Sequence, residues 1–190
     1  MRPTFTCDGI VSGTMCAMGL LCDYFVAPSD DDAAATIDRD GGPGSPMATP
    51  RLQRGPGSFR RGAESAGEAG PVEVFPTVDA KGIDPVVQMG TLEALLTGRG
   101  FDDVLEAQPD VLAVRNEGER VVVKVSDGLT AALAGTSDDG LAQVAYPWSK
   151  TEEFWGAGDP VVLACVLQDL AGLARLAVDR RQALYCWLSV

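Results

Sequence analysis

The sequence predicts an α+β protein: a small mixed sheet takes strands from both chain ends and from a middle hairpin, and helices cover it. Three observations predict this class. Short apolar runs lie near both ends of the chain, a hairpin pattern lies in the middle, and helix signals separate them. The chain has 190 residues, of which 46% are hydrophobic, and is long enough to bury one core. We therefore expect a single domain over residues 18–190.

The two terminal apolar runs are the predicted neighbouring strands. Residues 19–27 (GLLCDYFVA) are apolar at most positions and are followed by Pro28, which ends the run. Residues 183–188 (ALYCWL) are apolar on both faces, which is typical of a strand that is covered on both sides. We expect these two runs to pair side by side.

Capping residues mark the starts of three predicted helices. Ser29 precedes three aspartates that suit the positive end of a helix dipole, and the glycines at 41–42 end that helix. The Asp-Pro pairs at 84–85 and 159–160 each place a capping aspartate before a proline at the first helical position. The apolar stripes of these last two helices consist of Val86, Met89, Leu92, Leu95 and Leu96, and of Leu163, Val166, Leu167, Leu170, Leu173, Ala174 and Ala177.

The middle of the chain predicts a hairpin and short helices. Residues 111–125 carry β-branched side chains on both sides of Asn-Glu-Gly at 116–118, which favours a hairpin turn. Residues 72–78 form a further strand or extended segment. Two short helices are expected next, the first capped by Ser126 or Asp127 and the second by Ser137 or Asp138, with an interruption at Pro147 and a helical turn at residues 151–154.

Two segments are expected to lie outside the packed domain. Residues 1–17 lack clear periodicity and are predicted to be a non-structural N-terminal extension. Residues 41–71 are rich in Gly, Pro, Ser and Ala and cannot bury enough surface to offset their ordering entropy, so we expect a disordered insertion there.

Charge limits the classes of partner. The net charge is −12 with a pI near 4.3, so nucleic-acid phosphates and anionic membranes are repelled, and neither is expected as a partner. The basic cluster of the chain lies within the predicted insertion and consists of Arg51, Arg54, Arg60 and Arg61.

Residue types also limit the chemistry. The chain contains no histidine, which excludes Ser-His-Asp triads, Cys-His dyads and HExxH zinc sites within it. Its five cysteines include no CxxC pair, so neither a metal nor another cofactor is expected. Free, buried thiols are typical of a reducing compartment, and we expect a cytoplasmic protein.

Three segments together resemble a family of uncharacterised small actinobacterial proteins: CDYF at 22–25, TVDAKGIDPVVQMGTLEALLTG at 77–98, and LYCWLSV at 184–190. The layout is also similar to that of YfbM-like bacterial proteins of unknown function, with a first strand ending in Tyr-Phe and a long last helix that leads into a terminal strand. The resemblance implies a family but no activity.

One polar stretch, VDAKGIDP, is a candidate site. Asp79, Lys81 and Asp84 lie beside the amino end of a predicted helix, whose free N–H groups can hold an anion. A buried Lys81 could act as a base or a Schiff-base nucleophile. The alternative is an ion-paired turn in which Asp84 caps the helix, and the neighbouring aspartates favour it because they stabilise the ammonium form of the lysine.

The second candidate stretch is YPWSKTEEFWG. Trp148 and Trp155 are seven positions apart and would share a face of an uninterrupted helix, with Glu152 and Glu153 between them. Paired carboxylates among aromatic residues are typical of sugar-processing sites, but adjacent glutamates on a helix diverge. The alternative is that the aromatic residues belong to the core or to an interaction patch.

These observations favour a non-catalytic cytoplasmic protein that binds a macromolecular partner, as an adaptor, a regulator or an immunity-type protein. Acidic charge steers a basic protein partner and speeds the encounter. The alternative is a small-molecule enzyme or ligand-binding domain that uses carboxylate and lysine chemistry without histidine. A cavity of ligand size lined by the candidate residues would distinguish the two hypotheses.

Overall fold

The structure is a computed structural model that describes residues 20–45, 74–106 and 110–190. These residues form an α+β fold of six helices and five strands, as expected, with short 3-10 turns at Ala35–Asp38, Asn116–Gly118 and Glu152–Phe154. The predicted extension at 1–17 and positions 46–71 of the predicted insertion lie outside the described residues. In chain order the elements are β1 (Leu21–Ala27), α1 (Asp30–Ala34), β2 (Thr77–Asp79), α2 (Val87–Thr97), α3 (Phe101–Glu106), β3 (Val111–Arg115), β4 (Arg120–Lys124), α4 (Asp127–Gly135), α5 (Asp138–Ser149), α6 (Pro160–Arg180) and β5 (Ala183–Ser189).

The C-terminal strand β5 lies at the centre of the sheet, whose strand order is β2-β1-β5-β4-β3. It pairs with β1 along its whole length, from Leu21 opposite Ser189 to Ala27 opposite Ala183, which confirms the predicted pairing of the two chain ends. All pairings among the described strands are antiparallel, so the expectation of a mixed sheet is corrected. The reason is that β5 enters between β1 and β4, which point the same way, and runs opposite to both.

The β3–β4 hairpin forms as the sequence predicts. Its turn requires a left-handed backbone at Asn116, Glu117 and Gly118, whose φ angles are 51°, 57° and 103°. Asparagine and glycine adopt this conformation at low cost. The hairpin therefore has a local cause in the sequence.

Four helices cover one face of the sheet, which we call the helical face. The inward residues Tyr24, Cys186 and Val123 of three adjacent strands pack there against α2, α4, α5 and α6. Because side chains alternate along a strand, the residues between them point to the opposite face. The helical face holds the larger of the two clusters of buried residues.

The opposite face, which we call the thin face, is covered by one short segment and by Phe75, whose ring lies 5.8 Å from that of Phe25. We call residues 29–40, which comprise α1, the 3-10 turn that follows it and the two residues after that turn, the acidic cover. Phe25, Tyr185 and Trp187 are buried beneath it, and the Phe25 ring lies 5.5 Å from that of Tyr185. The glycines that follow the cover, Gly41 and Gly42, have φ angles of 92° and 80°, which end the helical backbone as expected.

The helix boundaries differ from the prediction at two places. The helix expected after Asp84 begins at Val87, because the Asp84 carboxylate accepts the N–H groups of Val86 and Val87 and forms a turn before the helix. The expected interruption at Pro147 is wrong, since α5 continues to Ser149. A proline in the last turn removes one hydrogen bond from a helix that ends two residues later, so the helix tolerates it.

The long helix α6 confirms its predicted start and inner face. The Asp159 carboxylate accepts the N–H groups of Val161 and Val162, and Leu167 and Leu170 are buried against the sheet layer. Among the described residues, α6 is the one helix long and apolar enough to span a membrane by length and composition alone. A core helix of a soluble protein passes the same test, and α6 packs against α4, α5 and the sheet.

Candidate functional site

The predicted Asp79, Lys81 and Asp84 group forms an exposed turn at the end of β2. The Lys81 ammonium lies 3.9 Å from the Asp79 carboxylate, and the two side chains are 66% and 61% exposed. The Asp84 carboxylate accepts backbone N–H groups at 2.7 and 2.8 Å. Those N–H groups are the ones that a bound anion would use, so the turn is occupied by its own side chain.

Sequence reasoning missed Asp23, which lies directly across the sheet from Asp79. Burial raises the pKa of the Asp23 carboxyl above its ordinary value, the neighbouring Asp79 carboxylate raises it further, and the Lys81 ammonium lowers it in part. The signal in the sequence was a lone charged residue inside an apolar strand. Two carboxylates and one exposed lysine do not form a closed site, and no group of three or more metal-ligating side chains is found in the described part of the chain.

The two predicted tryptophans of the second stretch do not share a face. Trp148 is fully buried, its ring lies edge-on to that of Phe154 at 5.1 Å, and its N–H donates to the Gln88 carbonyl at 3.0 Å. Trp155 is 92% exposed. The helix that would align them ends at Ser149, and a new 3-10 turn starts at Glu152.

Glu152 and Glu153 also separate, as the divergence of adjacent glutamates predicts. Glu152 is exposed, whereas one Glu153 carboxylate oxygen accepts the Thr91 hydroxyl of α2 at 2.8 Å. Partial burial opposes ionisation of Glu153, but hydrogen bonds from Thr151, from its own backbone and from Thr91 lower the pKa of its carboxyl. Glu153 therefore holds the turn against α2, and only Glu152 faces solvent.

Trp155 lies on the tightly closed connection between α5 and α6. Its backbone has a φ of 49°, and its N–H donates to the Glu152 carbonyl at 2.8 Å. A Cβ on Gly158 would lie 2.7 Å from the Ser149 carbonyl oxygen, so the connection closes tightly on the end of α5 and position 158 requires glycine. The buried ring of Phe154 anchors the turn from below.

The connection and the helix ends that flank it expose several apolar side chains. We call Tyr146, Trp155, Val161 and Val162 the α5–α6 corner; Tyr146 is 61%, Val161 70% and Val162 41% exposed. The Lys150 ammonium lies 5.6 Å from the centre of the Tyr146 ring. Sequence reasoning found Trp155 but missed the other three, because their exposure depends on which helix faces pack inward.

A small cavity between α2 and α4 is a further feature that the sequence did not indicate. Glu93 is 4% exposed, accepts the Ser126 hydroxyl at 2.5 Å, and pairs with Arg99 at 3.4 Å. The cavity beside it has a volume of about 30 Å³, and its walls are mostly apolar. This space suits a single water molecule, so the Glu93–Ser126 pair links two helices and has no room for a substrate.

Cys22 and Cys186 are free thiols on the helical face. Burial, and then the neighbouring Cys22 thiol, raise the pKa of Cys186 well above its ordinary value. A thiol in this environment is not a nucleophile at neutral pH.

No protein-family model matches the chain, and no curated protein or solved structure shows significant similarity to it. The resemblance to small actinobacterial proteins therefore stays a prediction.

Proposed function

We propose that this protein is a non-catalytic cytoplasmic binding protein that recognises a basic surface of a partner protein through its α5–α6 corner. It would act as an adaptor, a regulator or an immunity-type protein. The observation that carries the proposal is Trp155, a large apolar side chain that is 92% exposed on a hydrogen-bonded turn.

The backbone of Trp155 supports a binding role for its side chain. A left-handed conformation costs a bulky residue free energy, and such conformations are concentrated at functional sites. Tryptophan is among the residues that dominate binding energy in protein interfaces, because it buries a large surface with few rotatable bonds. Trp148, Phe154 and the Glu153–Thr91 hydrogen bond hold the turn from below, so binding would not have to order it.

Charge supports a basic partner. The whole chain carries −12, and the exposed carboxylates of Glu152 and Asp159 lie within the same connection as Trp155. The basic residue of this connection, Lys150, lies over the Tyr146 ring. An apolar anchor flanked by acidic side chains complements a surface that presents an apolar pocket among lysines and arginines.

The geometry favours this function over the enzyme alternative. Asp79 and Lys81 form an exposed ion pair, and Asp84 caps its own turn. The small cavity between α2 and α4 is lined by none of the candidate residues Asp79, Lys81, Asp84, Glu152 and Glu153.

The experiment compares the wild-type protein with Trp155→Ala and with Val178→Ala as a matched control. Val178 is also an exposed apolar residue, at 53%, but lies near the far end of α6. Each protein is immobilised and exposed to a lysate of the native cell, and proteins that only Trp155→Ala fails to retain are purified and titrated by calorimetry. Because an anchoring tryptophan contributes at least about 2 kcal/mol, Trp155→Ala should weaken the Kd by about 30-fold or more.

Two further readouts test the surface and the charge. Acrylamide quenching of tryptophan fluorescence should decrease on binding, because Trp155 is exposed whereas Trp148 and Trp187 are buried. The affinity should fall with added NaCl if the partner surface is basic. The proposal fails if every purified partner binds Trp155→Ala as tightly as the wild type, or if no retained protein depends on Trp155.

A further inference from the structure

The acidic cover is held to the sheet by polar contacts that span long distances in sequence. The Lys124 ammonium lies 3.2 Å from the Asp30 carboxylate, and the Tyr185 hydroxyl donates to that carboxylate at 2.8 Å. Arg115 donates to both carboxylate oxygens of Asp38, at 3.0 and 3.2 Å. Farther along the cover, Arg120 lies 3.1 Å from Asp40.

All three carboxylates of these ion pairs are exposed. The side chains of Asp30, Asp38 and Asp40 are 52%, 69% and 80% exposed. Attraction between exposed charges is weak and is screened by salt, with a range of about 10 Å at 0.1 M and about 3 Å at 1 M ionic strength. The contacts that hold the cover are therefore sensitive to ionic strength.

The cover contributes few apolar side chains of its own. The side chains that it adds to the buried cluster of the thin face are Ala33 and Ile37. Beneath them lie large sheet residues, among them Phe25, Tyr185 and Trp187. The Arg39 guanidinium adds a contact over the Phe75 ring at 5.0 Å.

A proline and two glycines flank the cover. Pro28 precedes it and is exposed, and Gly41 and Gly42 follow it with positive φ angles. Glycines can absorb backbone rotation at a hinge. No described strand of the sheet runs through the cover, so its departure breaks no strand pairing.

We infer that residues 29–40 are a salt-sensitive cover that opens as a unit and exposes the aromatic thin face while the sheet and the helical face stay folded. Such sub-global opening occurs where a segment has few buried apolar contacts and many exposed polar ones. This device is independent of the α5–α6 corner, and the partner-binding proposal does not depend on it.

Amide hydrogen exchange of the full chain, measured by mass spectrometry in 0.05 M and 1 M NaCl, tests the inference. Peptides from residues 29–40 should exchange about tenfold faster at high salt, because three partly exposed ion pairs weaken together. Peptides from α6 and β5 should keep their rates. Lys124→Gln and Arg115→Gln should each speed exchange of the cover at low salt, and the double variant should abolish most of the salt effect.

Lys81→Gln is the matched control, since it removes an exposed ion pair that does not involve the cover. It should leave exchange of residues 29–40 unchanged. The inference is overturned if the cover exchanges at the same rate as β5, or if its exchange is insensitive to salt. The wild-type salt comparison decides this even if a variant fails to fold.

Discussion

The two faces of the sheet are stabilised by different kinds of interaction. On the helical face, long helices bury leucines such as Leu167 and Leu170 against the strands. On the thin face, aromatic residues of the strands lie beneath a short acidic segment that adds Ala33 and Ile37 and several exposed ion pairs. The contribution of buried apolar area does not depend on the screening of charges, whereas exposed charge pairs contribute little and are screened by salt. The comparison shows that the two faces of one sheet can differ in how strongly their stability depends on salt concentration.

Deletion of residues 183–190 should have the largest effect on stability. It removes the central strand β5, whose side chains belong to the buried clusters of both faces. Tyr185 and Trp187 are lost from the thin face and Leu184 and Cys186 from the helical face. Each large buried side chain contributes about 1.5–3 kcal/mol, against a net stability of about 5–15 kcal/mol for a domain. We expect the truncated chain to lack a cooperative thermal transition in circular dichroism. A cooperative transition in the truncated protein would contradict the central position of β5.

The second prediction compares the loss of one buried aliphatic side chain from each face. Leu167→Ala should reduce the free energy of unfolding by about 3–5 kcal/mol, because its site lies between several rigid elements. Ile37→Ala should cost about 2 kcal/mol, the low end of the range, because a short cover can relax around the missing atoms. Urea denaturation measures both values. Equal costs would show that the thin face is packed as rigidly as the helical face.

A third comparison uses the two buried tryptophans. The Trp148 N–H donates to the Gln88 carbonyl, whereas the Trp187 N–H is buried without a hydrogen-bond partner among the described residues. Trp148→Phe removes the hydrogen bond between the indole and the Gln88 carbonyl, whereas Trp187→Phe removes a donor that has no partner among the described residues. We expect Trp148→Phe to be the more destabilising by about 1–2 kcal/mol in urea denaturation. The reverse order would mean that the Trp187 N–H has a partner in solution.

The smallest effect concerns Asp23, on the thin face. Its pKa is raised by burial and then by Asp79, so the folded state holds the Asp23 proton more tightly than the unfolded state does. The resulting stability is present at acidic pH and is lost as the pH rises through the raised pKa. Asp23→Asn should therefore stabilise the protein at pH 7, by less than about 0.5 kcal/mol because solvent screens this partly exposed group.

Thermal denaturation at pH 3 and pH 7 measures this difference. The gain from Asp23→Asn should disappear at pH 3, where the wild-type carboxyl is protonated. Asp169→Asn, an exposed position on α6, corrects for the loss of one negative charge from the whole molecule. A destabilised Asp23→Asn at pH 7 would mean that the Asp23 carboxylate makes a favourable contact.

Much of the fold follows from local signals in the sequence. Asp159 and Pro160 fix the start of α6, and Asn116 and Gly118 allow the hairpin turn. The continuous burial of Leu184–Trp187 in β5 follows from a strand that is apolar on both faces. These signals act over a few residues, so the sequence determined them without knowledge of the rest of the chain.

Only the tertiary structure decided the contacts between distant residues. Arg115 donates a hydrogen bond to Asp38, which lies 77 positions away in the sequence, and Tyr185 donates one to Asp30, which lies 155 positions away. The sequence also left the burial of Trp148 and Trp155 undecided, since both lie in one aromatic stretch. Trp148 is buried and Trp155 is exposed because α5 ends between them, at Ser149. The physical reason is that propensity and capping act between chain neighbours, whereas burial and ion pairing depend on which elements the folded chain brings together.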